Sequence, residues 1–457
     1  MSTIAGFDFG TSNCAFGVIT DNQPTLVNLP QHGHYLPSTL YAPQPEVISG
    51  WLYQQLKSQG LEQPYQQARP NLGASLNALR EAKLDGYDDQ LAFGVDALDK
   101  YLVDPADCYY VRSPKSFLGS SGITPRQQQM FEDICASTMW HLRHQAEQTG
   151  LAPIKKVVIG RPVNFQGLDS HRSNTQATEV LTRAAKFAGF DQVEFLYEPI
   201  AAGLSYQQQL QQQQNVLVVD IGGGTSDISM LQMAAGSDLS ERHDEWVLGY
   251  SGERIGGNDF DIALNFNCLM PTLGSRLKDG KGRPIPNKPF IDAASVNNIS
   301  DQTRFYRNDT RAMLSELQRQ PELTTLMRIL TLQQQHMTFQ LSACAERAKI
   351  ALSELEQAKV ALDFLEPELA TVVDRANFTE AAQQLLKRMS VLIDDVIAQS
   401  SCKPDVLFLT GGSANAPFIK DYLWQRYQIP MVSADNFGSV TSGLTLWADK
   451  IFNKSGC

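Results

Sequence analysis

The sequence lacks any apolar run long enough to cross a membrane. Nowhere in its 457 residues do 18 apolar residues follow one another, whereas a membrane-spanning helix needs about 20. The first residues, MSTIAGFDFGTSN, contain neither the basic and apolar segments nor the cleavage site of a secretory signal. We therefore expect a soluble protein without a membrane partner.

Paired cysteines and blocks of one charge are also missing. The seven cysteines are odd in number and show no metal-binding or redox spacing: Cys14, Cys108, Cys135, Cys268, Cys344, Cys402 and Cys457. Reduced thiols in the cytoplasm fit this pattern best. The formal net charge of −11 is spread along the chain, which argues against binding to nucleic acid or anionic membranes.

Two segments of this otherwise ordinary globular composition share one pattern. Ile4–Ile19 and Val216–Leu231 each contain an apolar strand that ends near an aspartate, a turn rich in Gly, Ser and Thr, and a second apolar strand. Each predicts a β-hairpin whose turn can crowd backbone N–H groups around an anion. Their separation of about two hundred residues indicates two homologous lobes, because solenoid repeats are only about 20–50 residues long.

Strands and helices alternate between these segments. Residues 155–165 alternate as a strand, residues 170–190 form a helical pattern that ends at Gly189, and residues 193–209 predict a strand that leads into a helix. The glutamine-rich stretch 207–214 fits either a flexible linker or a continuation of that helix, and we favour the helix.

Strand signals fade after the second segment. Gly and Pro cluster at 279–289 and residues 316–355 are largely helix-forming, so we expect an inserted, mainly helical subdomain at about 260–345. A last strand-and-turn unit at 405–417 and an apolar helix at 443–452 close the chain.

Asp8 and Asp220 each lie at the end of an apolar strand, directly before one of the two turns. Mg²⁺ prefers one or two carboxylates together with waters and phosphate oxygens, so this pair predicts a metal site between the lobes. The backbone amides of 10–12 and 222–225 are the expected phosphate donors. One such segment alone is equally a tight hairpin, but two copies and the Gly-Gly-Ser at 411–413 favour phosphate binding.

These segments resemble the phosphate motifs of the DnaK-type heat-shock chaperones, within the wider superfamily of actin and the sugar kinases. Further matches follow in the same order: VVIGRPVNF, AAKFAGFDQVEFLYEPIAAGLSY, GYSGERIGGNDFD, ACAERAKIALSEL and VLFLTGGSANAPFI. The resemblance touches most of the chain. It implies an α/β, duplicated actin-like ATPase (ribonuclease-H-like) fold, with two lobes around a nucleotide cleft and an enlarged helical insertion.

The resemblance also implies the cofactors, ATP or ADP with Mg²⁺, and their ligands. Asp8 and Asp220 would position Mg²⁺ and its waters. The phosphate contacts would come from Gly10, Thr11, Ser12, Gly222, Gly223, Gly224 and Thr225.

Catalytic roles are implied for three further residues. Glu198, in Tyr-Glu-Pro, would orient or deprotonate the attacking water, and Asp227 would polarise the same water network. Lys115 would offset the charge that develops on the γ-phosphate. Without the motif context, Glu198 is equally a carboxylate at a helix N-terminus, and Lys115 is an exposed lysine on a loop.

Contacts with ribose and adenine are implied for one helix face and one turn: Glu346, Lys349, Ser353, Gly411, Gly412 and Ser413. The spacing of the first three alone is equally typical of a solvated helix face. The family usually stacks adenine between two arginines, and this chain has Ile350 and Asn415 there. Because a cation–π contact is worth ~0.5–2 kcal/mol, we expect adenosine affinity to fall about ten-fold, or base preference to relax.

We expect lobe I at 1–210, lobe II with the insertion at 211–435, and a segment that returns to lobe I at 436–457. DnaK-type chaperones continue into a peptide-binding β-sandwich and a helical lid, whereas only fourteen residues follow Gly443 here. No peptide-binding domain is therefore expected. In this respect the chain resembles the YegD-like proteins, which are reduced to the ATPase portion.

The leading hypothesis is a cytoplasmic, Mg²⁺-dependent nucleotide switch that hydrolyses ATP slowly and acts in a chaperone-like way through an unknown protein partner or client. The alternatives are an actin-like filament protein, a catalytically weak nucleotide-binding scaffold, and a small-molecule kinase. A kinase would need an aspartate general base in a second polar pocket, for which the sequence shows no signature.

Overall fold

The computed structural model describes residues 2–87, 90–120, 122–165, 170–234, 246–433 and 438–453. Its strands are β1 (Thr3–Phe9), β2 (Asn13–Thr20), β3 (Gln23–Leu26), β4 (Leu36–Pro37), β5 (Thr39–Ala42), β6 (Ala92–Phe93), β7 (Tyr109–Arg112), β8 (Ile154–Arg161), β9 (Gln192–Tyr197), β10 (Gln214–Ile221), β11 (Ser226–Met233), β12 (Val247–Glu253), β13 (Gln357–Ala361), β14 (Ala370–Asp374), β15 (Val406–Thr410) and β16 (Met431–Ser433).

Its α-helices are α1 (Pro45–Ser58), α2 (Glu62–Ala68), α3 (Leu72–Leu84), α4 (Val95–Val103), α5 (Pro125–Gln148), α6 (Ser170–Phe187), α7 (Glu198–Gln207), α8 (Gly257–Leu264), α9 (Lys288–Ala294), α10 (Ile299–Phe305), α11 (Asn308–Gln318), α12 (Met327–Gln334), α13 (Thr338–Ala351), α14 (Arg375–Ser400), α15 (Pro417–Tyr427) and α16 (Gly438–Asn453). Short 3₁₀ helices lie at Pro114–Phe117, Met270–Leu273 and Pro321–Leu326, and one π-helical turn lies at Asn265–Leu269.

Two sheets have the same strand order and the same mixture of strand directions. The first runs β3-β2-β1-β8-β9, with β4 paired to β2, and the second runs β12-β11-β10-β15-β16. In each sheet the first strand of the central hairpin also pairs in parallel with a strand that follows a helix, β1 with β8 and β10 with β15. Both predicted hairpins are present, and the mixed α/β class is confirmed.

Alternation along β1 explains how the first hairpin places its aspartate. Phe7 and Phe9 are fully buried, and Phe7 stacks on Phe16 of β2 at 4.2 Å. Because successive side chains of a strand point to opposite faces, the Asp8 side chain extends from the face of the sheet opposite to these two rings. Burial of the phenyl rings therefore fixes the direction of the carboxylate.

Helix α16 returns from the end of the chain to the first sheet. It packs on β1, β2 and β8 and lies against α7. The approach is close enough to require glycine, because a Cβ atom at Gly6 would lie 2.6 Å from the carbonyl carbon of Leu444. A Cβ atom at Gly443 would likewise overlap the backbone of Ala201. The lobe boundaries given above remain predictions.

The glutamine-rich stretch does not continue the preceding helix, so that prediction is wrong. Helix α7 ends at Gln207, a turn follows, and β10 begins at Gln214. The backbone of 214–221 is needed for the central strand of the second sheet, and tertiary pairing outweighs the good helix propensity of glutamine.

The region between β12 and β13 contains helices α8–α13, and the expected insertion at about 260–345 remains a prediction. The hairpin β13–β14 and the long helix α14 were not predicted. Asp374 begins α14 by accepting the Asn377 N–H at 2.8 Å.

No helix in the described ranges is both long and apolar enough to cross a membrane. Cys457 lies outside those ranges, and the other six cysteines are free thiols.

Candidate functional site

The ends of the two central hairpins carry three of the predicted site aspartates. Asp8 is the penultimate residue of β1. Asp220 of β10 lies directly opposite Asp227 of β11 in the strand register, so both carboxylates extend from the same face of the second sheet. The charge of Asp8 is among the causes that raise the pKa of Asp220, which means that the two hairpin ends face each other.

A buried ion pair joins Lys115 to Glu198. Glu198 is the first residue of α7, and Lys115 lies in the 3₁₀ helix Pro114–Phe117, where only 4% of its side chain is exposed. The ammonium pairs with Glu198 Oε1 and donates to the carbonyl of Gly160 at 3.2 Å. Lys115 is therefore not the exposed loop lysine that its local sequence also allowed.

Burial and mutual repulsion raise the pKa values of the three aspartates beside Lys115. Burial and repulsion by Glu198 raise the pKa of Asp8 to about 7, with partial relief from Lys115. The pKa of Asp227 also rises to about 7 for these reasons, although the Val163 N–H donates to its Oδ1 at 2.7 Å. Burial and three neighbouring carboxylates raise the pKa of Asp220 well above its ordinary value. An added cation would favour ionisation of all of them.

Lys115 remains charged within this cluster. Burial opposes its charge, but Glu198 and Asp8 outweigh that effect and raise the pKa of the ammonium. One positive charge does not balance four carboxylates, so the cluster is suited to receive a further cation.

The donor set suits Mg²⁺ held largely through water. In the described part of the chain, no three His, Cys, Asp or Glu side chains converge closely enough to form a direct metal-binding group. Mg²⁺ usually keeps several waters and takes only one or two carboxylates. Asp8 and Asp220, on facing hairpins, therefore fit a hydrated Mg²⁺ and do not fit a closed cage of protein ligands.

The two predicted phosphate turns lie against each other. A Cβ atom at Gly224 would lie 2.8 Å from Thr11 Cγ2, and one at Gly223 would overlap the hydroxyl of Ser12. Beside Thr11, Lys115 and Thr225 the turns leave a recess of only about 10 Å³. In this arrangement the recess is too small for a phosphate group.

The geometry of the second turn restricts which of its amides can bind phosphate. The Gly222 N–H donates to the Thr225 carbonyl at 2.9 Å. Its own carbonyl accepts the Gly257 N–H at 2.8 Å, and the Gly223 carbonyl accepts the Asn258 N–H at 2.7 Å. The amide of Gly222 is therefore engaged within the turn, and the start of α8 holds the turn in place.

A chain of four charges links β7 to α8 and α13. Arg112 pairs with Glu346 at 2.8 Å and lies 3.8 Å from Asp261, which in turn pairs with Lys349 at 2.8 Å. Arg112 also donates to the Ser342 hydroxyl at 3.1 Å. Glu346 and Lys349, the predicted ribose ligands, thus share one helix face as expected and are held by partners that were not predicted.

The remaining predicted adenosine residues are only partly brought together. Ser413 lies beside Gly257 and Lys349, since a Cβ atom at Gly257 would lie 2.6 Å from Ser413 Oγ and 3.4 Å from the Lys349 ammonium. Gly411, with a φ of +88°, packs against the carboxylate of Asp220, and Gly412 follows it in the turn. Ser353 lies beyond the last residue of α13, and Ile350 is 61% exposed.

The profile of the family described as "Hsp70 protein" matches residues 119–272 and 321–436, which is more than half of the chain. The chain belongs to the Hsp70 family. It is similar to "Chaperone protein DnaK" of Prochlorococcus marinus, with 24% identity over 92% of this chain and 54% of that protein. For "Heat shock 70 kDa protein 7, chloroplastic" of Arabidopsis thaliana the identity is 24%, over 92% of this chain and 48% of that protein.

This Hsp70 chain spans about half the length of the curated relatives it matches. "Chaperone protein dnaK" of Emiliania huxleyi shows the same relation, with 25% identity over 93% of this chain and 56% of its own length. The matched profile segments contain Glu198, Asp220 and Asp227, and they begin after Asp8 and Lys115.

Sequence reasoning missed several residues that shape the site of this Hsp70 chain. Arg112 and Asp261 reach their partners only through the fold, because more than two hundred residues separate Arg112 from Glu346. The Val163 N–H, which holds Asp227, lies within the strand-like 155–165 pattern and carries no side-chain signal. Arg112 lies three residues before Lys115, and that proximity was the only sequence hint of its importance.

Proposed function

We propose that this Hsp70-family protein is a Mg²⁺-dependent ATP-binding and ATP-hydrolysing switch that acts on a protein partner or client in the cytoplasm. The observation that carries the proposal is a cluster of four carboxylates around Lys115, directly beside two facing turns of the phosphate-binding type: Asp220 and Asp227 are buried, and Asp8 and Glu198 are partly buried. A globular protein has little reason to withdraw four carboxylates from water unless a site requires them.

The protein residues divide the work of hydrolysis. Bound Mg²⁺ would neutralise phosphate charge and order nearby water. Asp8 and Asp220 would hold the hydrated ion, and the Lys115 ammonium would face the transferred phosphate. Glu198, fixed by its ion pair with Lys115, orients the attacking water and accepts its proton.

Asp227 supports the same water from the second hairpin. Its carboxylate is held by the Val163 N–H, and a Cβ atom at Gly252 would press on its Oδ1. Because its carboxylate is held in this position on β11, Asp227 can polarise the water network.

Opening of the turns converts nucleotide binding into a conformational signal. A phosphate group requires the contacts between Thr11 and Gly224 and between Ser12 and Gly223 to separate, so binding moves one hairpin relative to the other. A protein partner that contacts both sheets would sense that movement.

Single-turnover hydrolysis of bound ATP tests the assignment of Glu198. Glu198→Gln keeps the size of the side chain and removes the base, so we expect the hydrolysis rate to fall by about 10²-fold or more. ATP affinity should change by less than about three-fold, because Glu198 acts on water.

The matched control for this test is Glu194→Gln. Glu194 is exposed and lies four positions earlier, in strand β9, which leads directly into α7. That variant should hydrolyse ATP at the wild-type rate. Equal rates for Glu198→Gln and wild type would remove Glu198 from the mechanism. ATP binding without turnover in the wild type would favour the nucleotide-binding scaffold, which the exposed Ile350 also supports.

A further inference from the structure

A cavity lies beside the proposed nucleotide site, between the N-terminal sheets and α13. Its volume is about 180 Å³, and its walls come from β4, α4 and β7 on one side and α13 on the other. Pockets for drug-sized ligands measure about 300–1,000 Å³, so this cavity fits a molecule of one or two rings.

Aromatic and aliphatic side chains form most of its wall. Phe339 of α13 meets Tyr110 of β7 edge-on, with ring centroids 5.1 Å apart. Tyr101 backs both rings, with centroids 4.8 Å from Tyr110 and 5.7 Å from Phe339, and its hydroxyl donates to the His336 carbonyl. Leu98 completes the apolar side. Rigid rings in this arrangement favour a flat aromatic ligand.

The opposite end of the cavity is polar but electrically balanced. Arg112 and Glu346 border it and neutralise each other at 2.8 Å. Ser12 and Asn13 also border it. Within the described residues, their side chains form no hydrogen bond to the rest of the protein. An uncharged ligand edge with a donor and an acceptor would satisfy both groups.

We propose that this cavity binds a small, neutral, planar aromatic effector with a hydrogen-bonding edge. Its rings pack against Phe339 and Tyr110, which contact each other edge-on, and its polar edge contacts Ser12 and Asn13. The ligand therefore touches both sides of the cleft. It lies next to Ser12, which is part of a predicted phosphate turn, and next to Glu346, which is a predicted ribose ligand. Coupling to the nucleotide rests on the proposed function: the bound effector bridges β7 and α13 beside the nucleotide site, which slows ADP release, and by reciprocity it binds more tightly when ADP is present.

The test uses the full-length protein saturated with Mg²⁺-ADP and a panel of uncharged one- and two-ring fragments that includes indole, nicotinamide and adenine. Saturation-transfer NMR measures fragment binding, and stopped-flow measures ADP release. We expect at least one fragment to bind and to slow ADP release at least two-fold. Ala343→Phe fills the cavity and abolishes both effects, whereas the matched variant Ala343→Ser retains them.

A second variant guards against a folding defect in Ala343→Phe. Phe339→Leu keeps an apolar wall without a ring, and fragment affinity should fall about three- to ten-fold. Absence of binding by every fragment, or binding that is the same in all three variants, overturns the proposal. Failure of the protein to bind ADP would refute the proposed function instead, and fragment binding in the ADP-free protein would still decide whether the cavity is a ligand site.

Discussion

Protonation of single carboxylates connects the site to stability. The pKa of Asp227 rises from 3.8 to about 7 in the folded protein. Between about pH 4 and pH 7 the folded protein therefore keeps a proton that the unfolded chain has released, and the free energy of unfolding falls as the pH rises through this window.

Asp227→Asn should remove this pH-dependent loss of unfolding free energy while keeping an oxygen that accepts the Val163 N–H. In the metal-free protein at pH 8 we expect a midpoint of thermal unfolding a few degrees above that of wild type, since each pKa unit is worth about 1.4 kcal/mol. Near pH 4 the difference should vanish. Scanning calorimetry at both pH values checks this, with exposed Asp421→Asn as control; a lower midpoint at pH 8 would contradict it.

The base-binding position offers a gain-of-function test. Ile350 is exposed where the family usually has an arginine that stacks on adenine. Ile350→Arg should increase ATP affinity about two- to thirty-fold, since a cation–π contact contributes ~0.5–2 kcal/mol. Leu355→Arg, at another exposed apolar position near the end of this region, should leave affinity unchanged. Equal affinities for both variants would mean that adenine does not lie beside position 350.

At the scale of elements, the sequence predicted what local patterns determine. Both hairpins were predictable because an apolar strand, an acidic residue and a Gly-rich turn are encoded within sixteen residues. The glutamine-rich stretch was misassigned because the turn that ends α7 and leads to Gln214 is set by the pairing of β10 with β11 and β15, which lie elsewhere in the chain. The same limit applies to Arg112, whose partners are supplied by α8 and α13.

The charge chain between β7, α8 and α13 should slow nucleotide release. Arg112→Ala removes the cation shared by Glu346 and Asp261, which holds β7 against α8 and α13. Under the proposed function, opening of the cleft for ADP release breaks these contacts, so a loss of about 1 kcal/mol from the ADP-bound state alone would raise the ADP release rate about five-fold. Stopped-flow release of a fluorescent ADP measures this effect.

The matched control is Arg328→Ala, which breaks the Arg328–Glu366 pair in the helical region. That variant should release ADP at the wild-type rate. If Arg112→Ala also behaved like wild type, the charge chain would have no part in closure.

At the scale of the whole molecule, the repeated sheet order places two equivalent hairpins face to face. Helix α16 crosses back to the first sheet and packs on α7, the helix that begins with Glu198. Movement of one hairpin relative to the other would therefore reach helices that also position Glu198, the proposed catalytic carboxylate. The Hsp70 match and the buried carboxylate cluster agree with this arrangement.

Calorimetric titration of the nucleotide-stripped protein with ATP, ADP and GTP, with and without Mg²⁺, tests the central claim most directly. We predict Mg²⁺-dependent binding of ATP and ADP that weakens at least ten-fold in Asp220→Asn, because we propose that this carboxylate holds the hydrated ion. Selectivity over GTP would place the base in a specific pocket despite Ile350 and Asn415. Absence of binding to all three nucleotides, or binding of equal strength without Mg²⁺ and in Asp220→Asn, would contradict the account.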